Sequence, residues 1–102
     1  MDTLFSSRAS IFIEGQGTTC EASWPFGSIE LDAESMTINA LFKSYRLYYR
    51  DIDRIRFRPR QIQITHRASD VPSFVTIWGR FGLSRRLQEA IQQHQIQVRM
   101  EK

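Results

Sequence analysis

The segment DRIRFRPRQIQITHR, residues 53–67, alternates apolar and polar side chains on either side of Pro59. Successive side chains of a β-strand point to opposite faces of a sheet, so this spacing of two predicts two strands with one buried face each. A turn at Pro59 and Arg60 makes them an antiparallel hairpin. Because proline favours turn types that two-residue hairpins avoid, a longer loop is the alternative. The expected cross-strand pairs match in polarity: Phe57 with Ile62, Ile55 with Ile64, Arg56 with Gln63, and Arg58 with Gln61.

The same spacing of two recurs along most of the chain and ends near Trp78. Short alternations separated by glycine, aspartate or serine predict further antiparallel strands. From Arg80 to about Gln95 the apolar residues instead fall on one face of a helix. The further predicted strands are SIFIEGQG (10–17), GSIEL (27–31), SMTIN (35–39), SYRLYYRD (44–51) and FVTIWG (74–79), and the helical face comprises Phe81, Leu83, Leu87, Ala90, Ile91 and His94.

Four segments need a separate interpretation. Asp51 and Ile52 break the alternation, which predicts a bend or bulge before the strand that follows. Pro25 has no N–H group to donate, so it is expected at the beginning of a strand or at a sheet edge. Segment 74–79 is apolar on both sides, which predicts a strand covered on both faces. Segment IQVRM (96–100) is expected to form a short strand or a packed tail.

A length of 102 residues indicates one domain, residues 1–102, of which residues 1–8 are expected to be disordered. The single cysteine, Cys20, excludes an internal disulfide, and we find neither a secretory signal nor an apolar run long enough to cross a membrane. We therefore expect a cytoplasmic protein, with peripheral association at a membrane as the second location.

The charge of the chain is unevenly distributed. Residues 1–40 carry one basic and six acidic residues, whereas residues 41–102 carry 13 basic and 5 acidic ones. Twelve of the 14 basic residues are arginine, whose planar guanidinium suits bidentate contacts to phosphate or carboxylate. The sequence predicts a bipolar molecule whose charge steers its encounters with partners.

Strands followed by one amphipathic helix suit a bent sheet whose open end the helix closes. The sequence resembles the bacterial pleckstrin-homology-like (PH-like) and GRAM-like domain families. This resemblance implies a mainly β fold of the α+β type, with six to seven strands in a bent antiparallel sheet or barrel capped by a C-terminal helix. It also implies a scaffold that elsewhere binds phosphoinositides, peptides or protein surfaces. The resemblance covers residues 19–99, in WPFGSIEL (24–31), YYRDIDRIRF (48–57), QIQITHR (61–67), LSRRLQEAI (83–91) and IQV (96–98).

One loop departs from the pattern of these families. Their lipid-binding members place basic residues between the first two strands, whereas the corresponding loop here, DAES (32–35), is acidic. We therefore transfer no ligand-binding residue from the families to this chain.

No catalytic apparatus is visible in the sequence. A nucleophilic mechanism needs Ser or Cys beside a histidine base and an orienting carboxylate, and both histidines, His66 and His94, share the spacing of core residues. We interpret them as packing residues. No cluster of His and Cys has metal-ligand spacing, and EGQGTT (14–19) lacks the spacing and the lysine of a phosphate loop. The protein is predicted to be no enzyme and to carry no metal or cofactor.

Arginine recurs on the outward side of the predicted strands between residues 43 and 67, which hold eight basic and two acidic residues. A tyrosine among these arginines suits a stacked base or a lipid headgroup. The alternative is a solvated face whose charges protect a sheet edge, neutralised by acids such as Glu30, Asp32 or Glu34. The candidate binding residues are Arg46, Tyr48, Arg50, Arg54, Arg56, Arg58 and Arg60.

These patterns predict a non-catalytic interaction module. It binds another protein or a second copy of itself, through a sheet edge or through the face that carries arginine and tyrosine. The alternative is peripheral binding of anionic membrane headgroups or of nucleic acid by the basic stretch 46–60, with an affinity that falls as salt rises.

Overall fold

The computed structural model describes residues 3–80 and 82–101. Within those residues it contains eight β-strands, a short 3-10 helix and one α-helix. The strands are β1 (Phe5–Gly15), β2 (Thr18–Leu31), β3 (Ser35–Ala40), β4 (Lys43–Tyr48), β5 (Ile52–Phe57), β6 (Gln61–His66), β7 (Phe74–Trp78) and β8 (Met100–Glu101); the 3-10 helix is η1 (Tyr49–Asp51) and the α-helix is α1 (Leu83–Gln93).

All eight strands form one sheet in the order β4-β3-β2-β1-β7-β6-β5-β8. β1 lies in the middle because it pairs with β2 along its whole length and with β7 along its second half. The sheet curls into a half-barrel, and the apolar side chains of its concave side form one core with those of α1. The mainly β fold with one helix is confirmed. The strand count is eight rather than six or seven, because β8 is added at the edge beside β5.

The predicted register of β5 and β6 is confirmed. Arg58 and Gln61 exchange backbone hydrogen bonds of 2.8 and 3.4 Å, so Pro59 and Arg60 form a turn of two residues rather than a longer loop. The predicted hairpin of β2 and β3 is also present, and β4 continues it as the third strand.

The bend predicted before β5 is formed by two features. The first feature is η1, which turns the chain after β4. The second is a shift in register between Ile52 and Arg54 in the pairing of β5 with β6. The turn between β1 and β2 lies at Gln16 and Gly17, at the glycine-rich end of the segment 10–17 that was predicted as a strand. Both residues have positive φ, of 54° and 76°, as the primed turns of two-residue hairpins require.

Two predictions about individual strands are wrong. Pro25 lies inside β2, an interior strand, at a place where the pairing with β1 shifts register between Ala9 and Ile11. A bulge tolerates proline because the missing N–H breaks no ladder there. β7 is covered on one face only: Phe74 and Trp78 are exposed, because α1 packs on the concave side alone.

α1 begins at Leu83, later than the predicted Arg80, and ends at Gln93. Phe81 lies outside the described residues. His94 is exposed, so its predicted place in the buried stripe is wrong: it caps the end of the helix, and Gln95 then turns the chain away with a positive φ of 53°. The helical residues buried against the sheet are Leu83, Ser84, Leu87, Ala90 and Ile91.

Strands near both ends of the described residues belong to the sheet. Met1 and Asp2, the first residues of the stretch predicted to be disordered, lie outside the described residues, and β1 begins at Phe5. The short strand predicted near residues 96–100 is β8, which pairs in parallel with β5. Ile55 N–H donates a 2.8 Å hydrogen bond to the Arg99 carbonyl in the same pairing.

Candidate interaction surface

Arg46, Tyr48 and Arg50 form the first group of candidate residues, which we call the β4 edge group. The guanidinium carbons of Arg46 and Arg50 lie 5.0 and 4.8 Å from the centre of the Tyr48 ring. At this range the negative face of the ring attracts both cations. The ring therefore holds two arginines side by side, Arg46 of β4 and Arg50 of η1, and both remain exposed.

Asp32 supports this group from the turn between β2 and β3. Its carboxylate lies 3.6 Å from Arg46 and accepts 2.8 Å hydrogen bonds from the backbone N–H groups of Glu34 and Ser35. The bond from Glu34, followed by those from Ser35 and the Arg46 charge, lowers the pKa of Asp32 although partial burial opposes the change. The turn is thus built around a carboxylate that stays ionised.

A buried tyrosine holds η1 against the same turn. The Tyr49 hydroxyl donates a 2.6 Å hydrogen bond to the Asp32 carbonyl, and the Tyr49 N–H donates to the Glu34 carbonyl at 3.1 Å. Burial, reinforced by the nearby Asp32 charge, raises the pKa of Tyr49. The hydroxyl therefore remains a donor, and Arg50 is fixed next to the ring of Tyr48.

Arg54, Arg56, Arg58 and Arg60 form the second group, the β5 arginine row. Arg54 and Arg56 lie 3.4 and 3.7 Å from the Glu101 carboxylate of β8. The same carboxylate is 3.4 Å from Arg99, so three guanidinium groups share one negative charge. Arg58 and Arg60, exposed at the turn between β5 and β6, form no ion pair within residues 3–80 and 82–101. The row keeps a local positive excess.

Glu101 of β8 pairs with more of the candidate arginines than any other described acid does. Of the three acids considered from the sequence, Asp32 pairs with Arg46, whereas Glu101 pairs with Arg54 and Arg56. Arg54 and Arg56 carry their own acid because β8 lies beside β5. The sequence offered no signal for this contact, since Glu101 is 47 residues from Arg54 and in a two-residue strand.

The seven candidate residues do not form a single row. β4 and β5 occupy the first and the seventh places in the sheet, and no pairing joins them among the described residues. An open groove of about 580 Å³ next to η1 is lined by Tyr48 and Arg50 of the β4 edge group and by the chain that follows α1. Its lining includes Glu34, Tyr48, Arg50, His94 and Gln97.

Exposed aromatic residues are the feature that the sequence analysis missed. Phe74 and Trp78 of β7 are 66% and 38% exposed on the convex side, where Phe12 of β1 lies between them in the neighbouring strand. The guanidinium of Arg80 lies 3.9 Å from the centre of the Trp24 ring. A signal was present in β7, because the polar Thr76 shares the side of Phe74 and Trp78, opposite the β-branched Val75 and Ile77.

The turn between β3 and β4 also exposes apolar side chains. Phe42 is 98% exposed, and its neighbour Leu41 is exposed with a positive φ of 49°. A branched side chain is uncommon in this backbone region, which marks the turn as a constrained feature. Lys43 follows directly and lies 5.6 Å from the centre of the Tyr45 ring.

The histidine and cysteine side chains form no cluster. His66 is half-buried, with Nε2 2.9 Å from the Pro72 carbonyl while Nδ1 accepts from the Ala68 N–H at 3.1 Å, so both ring nitrogens have backbone partners. Cys20 is half-buried, with its Sγ 4.0 Å from the Ala40 carbonyl. Among residues 3–80 and 82–101, no three His, Cys, Asp or Glu side chains could hold a metal ion together.

Comparisons of the chain with protein-family models, curated proteins and solved structures find no match. In the part of the chain that the structure describes, no helix is both long and apolar enough to cross a membrane. The geometry of the two arginine groups and of the exposed aromatic residues therefore carries the functional argument.

Proposed function

We propose that this protein is a non-catalytic interaction module of PH-like architecture that binds another polypeptide. Its ligand is an extended acidic segment, which joins the sheet as a strand beside β4. β4 is the end strand of the sheet among the described residues; it carries Arg46 and Tyr48, and η1 adds Arg50 beside the Tyr48 ring. This open edge with a cationic border is the observation that carries the proposal.

Backbone hydrogen bonds supply the first part of the recognition. In an antiparallel ladder, alternate residues direct their N–H and C=O groups away from the neighbouring strand. The six-residue β4 therefore offers unpaired backbone groups to an extended peptide, as in other complexes formed by strand addition. A flat edge of this length also invites unwanted pairing, which charged residues limit.

Charge supplies the specificity. Arg50 forms no ion pair with any described residue, and Arg46 shares Asp32 with hydrogen-bond donors of the turn. An added strand with carboxylates at alternate positions would meet these guanidinium groups across the edge. Opposite charges facing each other across two strands contribute about 0.2–1 kcal/mol per pair. A basic strand would be repelled by the same border.

The test uses a synthetic peptide of alternating glutamate and valine, titrated into isotope-labelled protein. We expect amide shifts and slowed hydrogen exchange that are confined to β4 and η1. Arg50→Gln should weaken binding about two- to fivefold, which corresponds to the loss of one such pair. The matched control is Arg67→Gln. It removes another exposed arginine, whose ion-pair partner is Asp53, and it should leave the affinity unchanged.

A peptide of alternating lysine and valine tests the role of charge. It should not bind, and the affinity of the glutamate peptide should fall as salt is added. Amide changes outside β4 and η1, or equal binding of both peptides, would contradict the proposal.

Binding of anionic membrane headgroups is the second candidate function, and the turn between β3 and β4 favours it. Phe42 at the tip is apolar and exposed, and Lys43 follows it. An apolar tip next to a cation suits the boundary of an anionic bilayer, where an aromatic ring enters and the cation meets a headgroup. The basic stretch 46–60 then supplies further contacts.

Vesicle sedimentation distinguishes the two functions. Binding to vesicles with phosphatidylserine, absent with neutral vesicles and lost in Phe42→Ser, would support the membrane function. A triple variant, Arg54→Gln with Arg56→Gln and Arg58→Gln, tests the contribution of the β5 arginine row, and single-stranded RNA in place of vesicles tests nucleic acid. Unchanged vesicle binding in both variants would exclude this candidate.

A further inference from the structure

The convex side of the sheet carries an acid on β2 and a group of arginines around one acid on β5 and β8. Phe12 is aligned with Glu21 on one side and with Thr76 on the other, and the row continues through Gln63 to Arg56. Glu101 of β8 is aligned next to Arg56 and is shared by Arg54, Arg56 and Arg99, so this end of the row keeps an excess of positive charge. Between Glu21 and Arg56, Thr76 of β7 lies in the middle.

Aromatic side chains flank the middle of this row. Along β7, Phe74 and Trp78 lie two residues before and two residues after Thr76, on the same side of the strand. Glu14 of β1 is aligned with Phe74, and Gln61 of β6 with Trp78. An exposed aromatic patch with charged borders is typical of a protein interaction site.

We propose that this convex face binds the same face of a second copy of the chain, around a twofold axis that runs parallel to β7 above Thr76. A rotation of 180° about such an axis exchanges the two borders of the row and leaves the direction of β7 unchanged. Glu21 then faces Arg56 of the second copy, and Phe74 and Trp78 lie over the same residues of that copy. Self-complementarity of this kind is what a twofold dimer interface requires.

The two borders remain available for this contact. Arg56 is 35% exposed, and its carboxylate partner Glu101 is shared with Arg54 and Arg99, so a second carboxylate finds unsatisfied positive charge. Glu21 is exposed and forms no ion pair among the described residues. Charge complementarity thus accompanies the burial of four aromatic rings, two from each copy.

Nucleic acid fits this face less well than a second copy. Aromatic rings beside arginines do suit stacked bases, but such surfaces are positive along the path of the backbone. Here Glu14 and Glu21 border the aromatic patch on β1 and β2 and would repel phosphate. The same two carboxylates are what the arginines of a second copy require.

Sedimentation velocity across the micromolar range tests the proposal with charge reversal. Glu21→Arg places two arginines opposite each other, and Arg56→Glu places two glutamates opposite each other, so each variant alone should raise the dissociation constant of the dimer about tenfold or more. The double variant Glu21→Arg with Arg56→Glu should return the dissociation constant to near that of the natural chain.

Mixing the two single variants gives a sharper result. In the mixed dimer every facing pair is attractive, because one copy presents only arginine and the other only glutamate at these positions. The mixture should therefore dimerise more tightly than either variant alone. Trp78→Ser should weaken the dimer about a hundredfold, as expected for a central aromatic side chain. Phe74→Ser, at the more exposed of the two aromatic positions, should weaken the dimer by a similar factor. Far-ultraviolet circular dichroism verifies that each variant is folded.

Three results would overturn the proposal: a monomer throughout the micromolar range, a dimer insensitive to both charge reversals, or RNA binding by the monomer that Trp78→Ser abolishes. Arg50→Gln on the β4 edge should leave the dimer unchanged, so failure here is separable from failure of the proposed peptide site.

Discussion

The first and the seventh strands of the sheet, β4 and β5, differ in whether another strand pairs with their outer sides. No strand pairs with the outer side of β4 within residues 3–80 and 82–101, whereas β8 pairs with β5. Natural sheets protect their edges either with charged residues or with a covering segment. This protein uses charge at β4 and a covering strand at β5, so the two arginine groups that the sequence presents alike lie in different surroundings.

The forces that hold the two edges in place also differ. β4 is held by the buried side chains of Tyr45 and Leu47 and by the turn around Asp32. β8 has only two residues in the sheet. It is attached to β5 by the pairing of Ile55 with Met100 and of Arg56 with Glu101, by the ion pairs of Glu101 and by the hydrogen bond from Ile55 to the Arg99 carbonyl. The exposed strand is therefore the firmly anchored one, and the covering strand is the weakly attached one.

Truncation of one fully buried side chain on each strand tests whether β4 belongs to the same cooperative unit as β5. Leu47→Ala and Ile55→Ala should each lower the free energy of unfolding by about 2–5 kcal/mol, because each leaves a cavity in the core. Guanidinium unfolding followed by circular dichroism measures both. Thr65→Ala, on an exposed position of β6, should stay within about 0.5 kcal/mol.

A loss below about 1 kcal/mol for Leu47→Ala alone would show that the exposed edge unfolds separately from the rest of the sheet. In that case β4 would be too mobile to offer a preformed edge to a peptide. Equal losses at both strands would support the proposed strand addition.

The sequence predicted the strands and their faces where one side is polar. In β5 and β6, arginine, glutamine and threonine alternate with isoleucine and phenylalanine, so only one register buries the apolar side chains. In β7 both sides carry large apolar residues, and only the polar Thr76 indicates that Phe74 and Trp78 face outward while Val75 and Ile77 face the core. Which side is buried there depends on where α1 packs, a tertiary contact.

The exposure of the candidate arginines was predictable in the same way, but their partners were not. Parity along β4 and β5 places Arg46 and Arg56 away from the core, as the structure has them. Glu101 reaches Arg56 only because the chain returns beside β5 after α1, and no local pattern contains that information. Asp32 was among the acids expected to neutralise arginine, because its loop joins two predicted strands, 27–31 and 35–39, that precede the strand 44–51.

Removal of the Asp32 carboxylate should weaken the β4 edge next to β3. Asp32→Ala leaves the N–H groups of Glu34 and Ser35 without their acceptor and Arg46 without its partner, which should cost about 1–2 kcal/mol. Asp70→Ala, in an exposed loop, is the control. Urea unfolding measures both variants.

The difference in unfolding free energy between the natural chain and Asp32→Ala should depend on pH if it comes from the ionised carboxylate. Because folding lowers the pKa of Asp32, its contribution is fully present above the ordinary value of 3.8 and is lost as the pH falls through the lowered folded-state value. The gap in unfolding free energy between the natural chain and Asp32→Ala should therefore narrow as the pH is lowered below 3.8. A gap that stays constant with acidification would mean that the turn does not depend on an ionised carboxylate.

Neutralisation of Glu101 should have the smallest effect on the free energy of unfolding, and it should act only on the edge where β8 covers β5. Glu101→Gln removes the charge shared by Arg54, Arg56 and Arg99 and should lower the free energy of unfolding by less than about 1 kcal/mol, as is usual for ion pairs near the surface. The Ile55 amide, which donates to Arg99, should exchange its hydrogen about two- to fivefold faster, and about 1 M salt should remove the difference.

Glu89→Gln, which removes the ion pair with Arg85 on the exposed side of α1, should not change exchange at Ile55. Unchanged exchange in Glu101→Gln itself would mean that apolar contacts of Ile96, Val98 and Met100 with the core hold β8 in place. The covered edge would then be closed by the hydrophobic effect. Charge would then hold neither edge in place. The two edges would differ in the length of chain that covers each of them.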